Sequence, residues 1–544
     1  MHDSVSSPRN CELPLFARAS EYLRPAWCRD AQSEGQTSTI VGMPDDDDNI
    51  TTGPDDGHDL LNGGGPRRTE SDSLGSMEIP ANAYWGIHTA RALVNFPISR
   101  RAISNYPDLI RALALVKQAA SRANVEIGVV DPAKAQVIDT ICQRIVDGHY
   151  HDQFVVGVIQ GGAGTSTNMN TNEVIANAGL ELMGLNLGDY QALHPIDDVN
   201  RSQSTNDVYP TAIKLAMVFG VQRLLTEHAK LTESFAAKGR EFNHVLKVGR
   251  TQMQDAVPMT LGQEFTGFAH TLEEDYDRLS ETIPWLNEIN MGATAIGTGI
   301  TADPRYAEAV RRHLEEVTGL PQQTAPDLIE ATADAGIFMT LSGTLKRAAV
   351  KLSKICNDLR LISSGPQAGL GEINLPARQA GSSIMPGKVN PVVPEAVLMV
   401  CAQVIGNDAT ITTAGAAGNF ELNVMLPVIG RNLLESLTFL AQGSRLLADR
   451  CVDGITADEQ RCLDLAQGSP AIVTPLNRYI GYEAAAVVVK QSLLERRSIR
   501  DVVIARGHID AGDLTEAQLD EALDVLSMTR PNSPAEPSSG RASS

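Results

Sequence analysis

Leu341, Leu345, Ala348, Leu352, Ile355, Leu359 and Ile362 follow one another at intervals of three or four residues. That spacing puts all of them on one stripe of a single helix. The pattern stops at Gly365-Pro366, a pair that ends helices. From Ile337 to Ser363 the helix would reach roughly 40 Å, a length that few folds other than bundles can use. Two more segments read the same way. One follows Pro210, with Leu224, His228, Leu231, Phe235 and Phe242 on one face; the other begins near Pro394 and carries Leu398, Cys401, Val404 and Ile405. On such a face His228 is expected to be a core or interface histidine rather than a ligand. Alternating strand patterns are scarce and aromatics are only 4% of residues, which favours Leu/Ala-packed helices over a sandwich or barrel. The body is expected to be mainly α, with a long-helix bundle at its centre.

The two ends differ from this. Residues 1–66 are rich in Ser, Pro, Asp and Gly, including Asp45 to Asp48 and Gly63-Gly64-Gly65-Pro66, and carry too little apolar surface to order themselves. From about Thr529 the chain repeats that character with Pro531, Pro534 and Pro537. Residues 1–66 and 529–544 are therefore expected to be disordered tails. Thr515-Glu516-Ala517-Gln518 forms a capping box ahead of Leu519, Leu523 and Leu526, which suggests a small C-terminal helical unit. Lys plus Arg is 45 against 66 Asp plus Glu, and the net charge of −21 repels nucleic acid and anionic membranes. Small metabolites suit it better. No basic start followed by an apolar run is present and no stretch of about 18 apolar residues is read, so the chain is expected to be cytoplasmic and not to span a membrane. Cys11, Cys28, Cys142, Cys356, Cys401, Cys451 and Cys462 are scattered, without CxxC pairing, and are expected to stay reduced.

Four polar, Gly-interrupted segments break the helical pattern. The first is Gly161-Gly162-Ala163-Gly164-Thr165-Ser166-Thr167-Asn168-Met169-Asn170, leading into an apolar helix. Such residues cap helices, but the same geometry points free N–H groups at an anion. The second runs from His194 to Asp207 and includes Asn200-Arg201-Ser202-Gln203-Ser204-Thr205-Asn206. One cap does not explain a run of that polarity. The third is Gly249-Arg250-Thr251-Gln252-Met253-Gln254-Asp255-Ala256, where a solvated turn is the plain alternative. The fourth is Gly381-Ser382-Ser383-Ile384-Met385-Pro386-Gly387-Lys388-Val389-Asn390-Pro391. Its glycines and prolines bracket two hydroxyls, a lysine and an amide, a composition suited to a loop that closes over a ligand. There is no HExxH, CxxC pair or GxSxG elbow, and His149-Tyr150-His151 lacks further ligands in sequence, so no metal site or serine triad is expected.

Gly381 through Pro391 resembles the signature loop of the aspartase/fumarase superfamily, and the other three segments match the same superfamily in the same order. The resemblance runs from about Arg67 to Met528. Within the superfamily the chain is more similar to aspartate ammonia-lyases than to class II fumarases. The stretch Gly164-Thr165-Ser166-Thr167-Asn168 has Ser where fumarases usually place Gln, and Ala380 stands where they carry Pro. Asp327-Leu328-Ile329-Glu330-Ala331-Thr332 and Pro391-Val392-Val393-Pro394-Glu395 point the same way.

The resemblance implies an all-α, three-domain fold: an N-terminal helical domain at 67–204, a central helix bundle at 205–456 and a small C-terminal helical domain at 457–528. It implies a homotetramer whose active sites are shared between subunits, with no cofactor. The implied reaction is reversible deamination of L-aspartate to fumarate and ammonia. Carried over residue by residue, Ser382 is the base that takes the Cβ proton. Thr165, Ser204, Thr205 and Ser383 donate to the enediolate that forms. Lys388 and Asn390 hold the α-carboxylate, and Asn206 and Thr251 surround the leaving amino group. Gln252 departs from fumarases and some aspartases, which have His there. An amide cannot protonate a leaving hydroxide, which argues against water elimination more than against deamination. The enzymatic alternative is a class II fumarase, and the alternative of another class is a structural protein descended from such an enzyme.

Overall fold

The computed structural model describes residues 60–61 and 64–529. The tail expectations, with Cys11 and Cys28, lie almost wholly outside these residues. The described part opens with an antiparallel hairpin of β1 (Arg67–Asp72) and β2 (Gly75–Pro80). Leu61 is buried, and its carbonyl accepts Arg67 Nη1 at 2.8 Å. Four helices follow: α1 (Ile87–Asn95), α2 (Pro107–Glu126), α3 (Pro132–Val146) and α4 (Thr165–Leu182). Pro107 and Pro132 stand at first helical positions, where a missing N–H removes no bond. The helix after the first polar segment departs from expectation, because α4 is not apolar in its first half. Thr167, Asn168, Asn170, Thr171, Asn172 and Glu173 are all buried there.

The longest helix, α5 (Thr205–Glu241, 37 residues), begins five residues before Pro210 rather than after it. Ser204 and Asp207 close a capping box at its start. Proline inside a helix removes one N–H donor, which at Pro210 leaves the Asn206 carbonyl without its usual partner. Asn290 Nδ2 supplies the replacement, donating to Asn206 O at 3.0 Å. The third polar segment also differs from expectation. It forms an antiparallel hairpin of β3 (Leu246–Thr251) and β4 (Gln254–Thr260) before α6 (Leu261–Ser280).

After α7 (Tyr306–Thr318), which packs on α2, come α8 (Gly336–Ile362), α9 (Val392–Gly415) and α10 (Leu426–Arg450). Every residue of the Leu341-to-Ile362 stripe is buried. Helices α5, α6, α8, α9 and α10 pack in a ring, each on the next and α10 on α5. By length and composition α9 is apolar enough to cross a membrane, although polar residues interrupt it, and it lies between α8 and α10 with part of its surface exposed. Lys238 Nζ, near the C-terminal end of α5, donates to Ile455 O at 2.9 Å. Ile373-Asn374 pairs with Thr456-Ala457. The ends of α5, α8 and α10 therefore meet at one end of the bundle, together with the β3–β4 hairpin.

Towards the C-terminal end come α11 (Glu459–Gly468), α12 (Tyr482–Glu495), α13 (Ile499–Ala505) and α14 (Glu516–Ala522), shorter helical turns aside. The last three enclose a core of their own with Leu476, Val488, Val502, Val503 and Leu519. Thr515 closes the expected capping box, but α14 stops at Ala522, leaving Leu526 exposed beyond it.

Candidate active site

At one end of the bundle, the starts of α4 and α5 lie side by side. Gly162, Ala163 and Gly164 all have positive φ, at 84°, 54° and 100°. A Cβ on Gly164 would lie 2.4 Å from the Tyr209 ring of α5, so only glycine allows this approach. Thr165 follows, exposed, with its hydroxyl donating to Gly162 O at 2.7 Å. Ser204 Oγ accepts the Asn206 N–H at 3.2 Å. Thr205 Oγ1 accepts Asn168 Nδ2 at 3.1 Å, and Asn206 Nδ2 donates to Ala295 O at 2.7 Å. Thr165, Ser204, Thr205 and Asn206 are thus gathered on one rim, held from behind by α4 and the 290s loop.

Beneath that rim lie two ionisable groups that the sequence reading did not assign. Lys117, on α2, is fully buried and donates to Asn200 Oδ1 at 2.8 Å and Gln203 Oε1 at 2.9 Å. Asp207 is also fully buried and accepts N–H groups from Ser204 at 2.9 Å, Thr294 at 3.0 Å and Gly292 at 3.3 Å. Burial pushes Lys117 down and Asp207 up, each to about 7, while their mutual attraction and the N–H groups on Asp207 oppose the shift. Sequence offered no signal for Lys117, because an isolated lysine reads as a solvated side chain.

The other end of the bundle carries the rest. Thr251 ends β3, and Gln252 and Met253 form the exposed turn with φ of 55° and 63°. Arg250, next to Thr251, makes a two-pronged bond to the fully buried Glu372, at 2.8 and 3.0 Å. Arg250 therefore braces the hairpin instead of facing a ligand. The serine loop is closed at its neck, where Gly381 N donates to Lys388 O at 3.0 Å and Asn390 Nδ2 donates to Gly381 O at 2.7 Å. A side chain on Gly381 would collide with Lys388 O at 2.1 Å. Ser382 Oγ accepts two backbone N–H groups, from Ile384 at 3.2 Å and Met385 at 3.0 Å. Ser383 and Lys388 are exposed.

The chain thus divides the expected residues into two groups. Thr165, Ser204, Thr205 and Asn206 sit at the start of α5; Thr251 and the segment that leads into the serine loop sit at its end. A 37-residue helix spans roughly 55 Å. Among the described residues no group of three or more His, Cys, Asp or Glu side chains is placed to hold a metal ion. Cys142, Cys356, Cys401, Cys451 and Cys462 are free and buried.

Comparison with known proteins bears on this arrangement. Residues 75–406 match the family described as Lyase, and residues 472–530 match Fumarase C C-terminus. The aspartate ammonia-lyase of Pseudomonas canavaninivorans is 54% identical over 465 residues, covering 85% of this chain and 97% of that one. Its counterpart from Helicobacter pylori is 50% identical over 465 residues, covering 86% and 98%. The chain belongs to the aspartase/fumarase superfamily. Its aspartate ammonia-lyase branch is the one these relatives represent. A solved superfamily structure, a fumarate lyase:delta crystallin from Brucella melitensis bound to cobalt, is 51% identical with a TM-score of 0.83, covering 86% of this chain and all of that one. A class II fumarase from Schistosoma mansoni is 32% identical with a TM-score of 0.82 over the same share. The superfamily fold accordingly persists at much lower identity than the aspartate ammonia-lyase branch.

Proposed function

We propose that this lyase removes ammonia from L-aspartate to give fumarate, with Ser382 as the base. The observation that carries the assignment is the pair of backbone N–H groups, from Ile384 and Met385, trained on Ser382 Oγ. Hydrogen bonds to the charged form of a group favour that form, so these donors lower the cost of a serine alkoxide. The alkoxide takes a proton from Cβ, and the electron pair spreads into the β-carboxylate as an enediolate. Thr165, Ser204, Thr205 and Ser383 donate to its oxygens, and one such donor is worth roughly 3 kcal/mol. The pair then forms the Cα–Cβ double bond as the C–N bond breaks. Ammonia leaves past Asn206 and Thr251, and Lys388 and Asn390 hold the α-carboxylate. Asn390 spends one N–H of its amide on the Gly381 carbonyl and keeps the second for the substrate.

A site of this composition needs more than one chain, because its two groups lie a helix length apart. A homotetramer built on the central bundle supplies the other ends. Exposed apolar side chains, Val350, Leu361 and Met399 on the bundle helices and Phe420 between α9 and α10, suit such an assembly. The domains are taken as 67–204, 205–456 and 457–528, in a cytoplasmic protein. The test is an ultraviolet assay of fumarate production by the full chain, with aspartate and then with malate. Fumarate from aspartate alone is expected. Production from malate and not from aspartate would overturn the reading in favour of a fumarase.

A further inference from the structure

The buried amide cluster under the α4–α5 rim has a definite polarity, and Lys117 stands at its head. The Gln203 backbone carbonyl can only accept, so Asn200 turns Nδ2 to it at 3.2 Å and Oδ1 to Lys117 at 2.8 Å. An ammonium has no lone pair and can only donate there, which holds that orientation. Asn200 Oδ1 in turn accepts Asn168 Nδ2 and Asn172 Nδ2, each at 3.1 Å. Turning the Asn168 amide over would set its oxygen against Asn200 Oδ1. The same Asn168 Nδ2 reaches Thr205 Oγ1 at 3.1 Å. Thr205 is thus an acceptor on its inner side, and its own O–H proton must point elsewhere.

We infer that Lys117 is a positioning residue, which fixes through Asn200 and Asn168 the direction in which Thr205 presents its hydroxyl proton to a substrate carboxylate. Lys117 itself touches no substrate. It is held within the body, and the groups facing it are Asp207 on α5, Cys142 on α3, and the amides of Asn200 and Gln203. The inference rests on the proposed role of Thr205 as a donor to substrate.

A double-mutant cycle tests it, using the full chain with Lys117→Met, Thr205→Val and both together. Thr205→Val alone is expected to lower kcat/KM by about 100-fold, as loss of one carboxylate donor does. Lys117→Met alone should lower it by roughly 10-fold or more, yet by less than about 3-fold in the Thr205→Val background, because residues acting in one chain of contacts are not additive. The same fold-loss in both backgrounds, or none in either, overturns the inference while leaving Thr205 in place. An inert Thr205→Val would remove the reading of Thr205 and the inference with it. If Lys117→Met does not assemble, Asn168→Ala carries the same cycle, since it deletes the donor to Thr205 and keeps the lysine. A loss with Asn168→Ala that persists undiminished in the Thr205→Val background overturns the inference equally.

Discussion

A serine hydroxyl is a poor base until something stabilises its anion, and in the role proposed for Ser382 that stabilisation would be local. The two N–H groups that reach its oxygen come from the next turn of the same loop, so the arrangement depends on no other part of the chain. Ser382→Ala keeps the loop backbone, the Gly381–Lys388 neck and the fold. It should lower kcat for aspartate by roughly 10²- to 10⁴-fold, the usual contribution of a positioned base. Steady-state rates on the assembled variant would check this, and a rate within tenfold of the parent would remove Ser382 from the role. The residues of this loop were legible in the sequence because no core needs two hydroxyls, a lysine and an amide between glycines and prolines. Lys117 and Asp207 were not. Their meaning comes from partners distant in sequence, such as Asn200 for Lys117 and Gly292 and Thr294 for Asp207, and from burial that composition does not record.

At the scale of elements, the long helices were readable because their apolar period is continuous, and the misreadings mark places where distant residues supply what local sequence lacks. Pro210 resembles a helix start because proline suits a first turn; it sits inside α5 because Asn290 serves the carbonyl left unpaired. A solvated turn was weighed at Gly249 to Ala256, but the β3–β4 strands around it went unread, because Gln252 and Met253, not glycine or asparagine, take the positive φ values there. His228 met its expectation as a core histidine. It is buried on α5, with Nε2 3.1 Å from Leu272 O of α6, and burial pushes its pKa down to about 4. In the unfolded chain it would take a proton near its ordinary value of about 6.5. As pH falls from 6.5 towards 4 the unfolded state therefore binds more protons, and stability drops across that window. His228→Gln should flatten this acid-side loss, read as melting temperature against pH; an unchanged slope would show that His228 does not contribute. A second test concerns the brace under Thr251. Glu372→Gln leaves Arg250 and the buried Lys247, whose Nζ is 3.6 Å from Glu372, without their shared anion. A broken buried pair costs about 3–5 kcal/mol. Denaturant unfolding should show that loss, and KM should rise as Thr251 loosens; a variant of parental stability would mean the pair is not needed.

For the whole molecule, the decisive fact is that the expected site residues stand at both ends of a single helix. Two inactive variants, Ser382→Ala and Asn206→Ala, damage opposite ends. Co-refolded, they should regain part of the parental rate, since some sites in a mixed assembly draw an intact loop from one chain and an intact rim from another. Recovery should follow the fraction of mixed tetramers measured by mass, and none in confirmed mixtures would place the complete site within one chain. The sequence pointed towards this sharing only through resemblance. Periodicity reports that a helix is long, while which ends of it carry chemistry depends on packing that no local pattern encodes.

On the proposed shared site, the length of α5 also has a consequence during synthesis: a newly released chain carries every residue of the site yet keeps Ser382 remote from Thr165, Ser204 and Asn206. Turnover should then begin only above a concentration threshold set by subunit association, and dilution below that threshold should silence the protein without unfolding it.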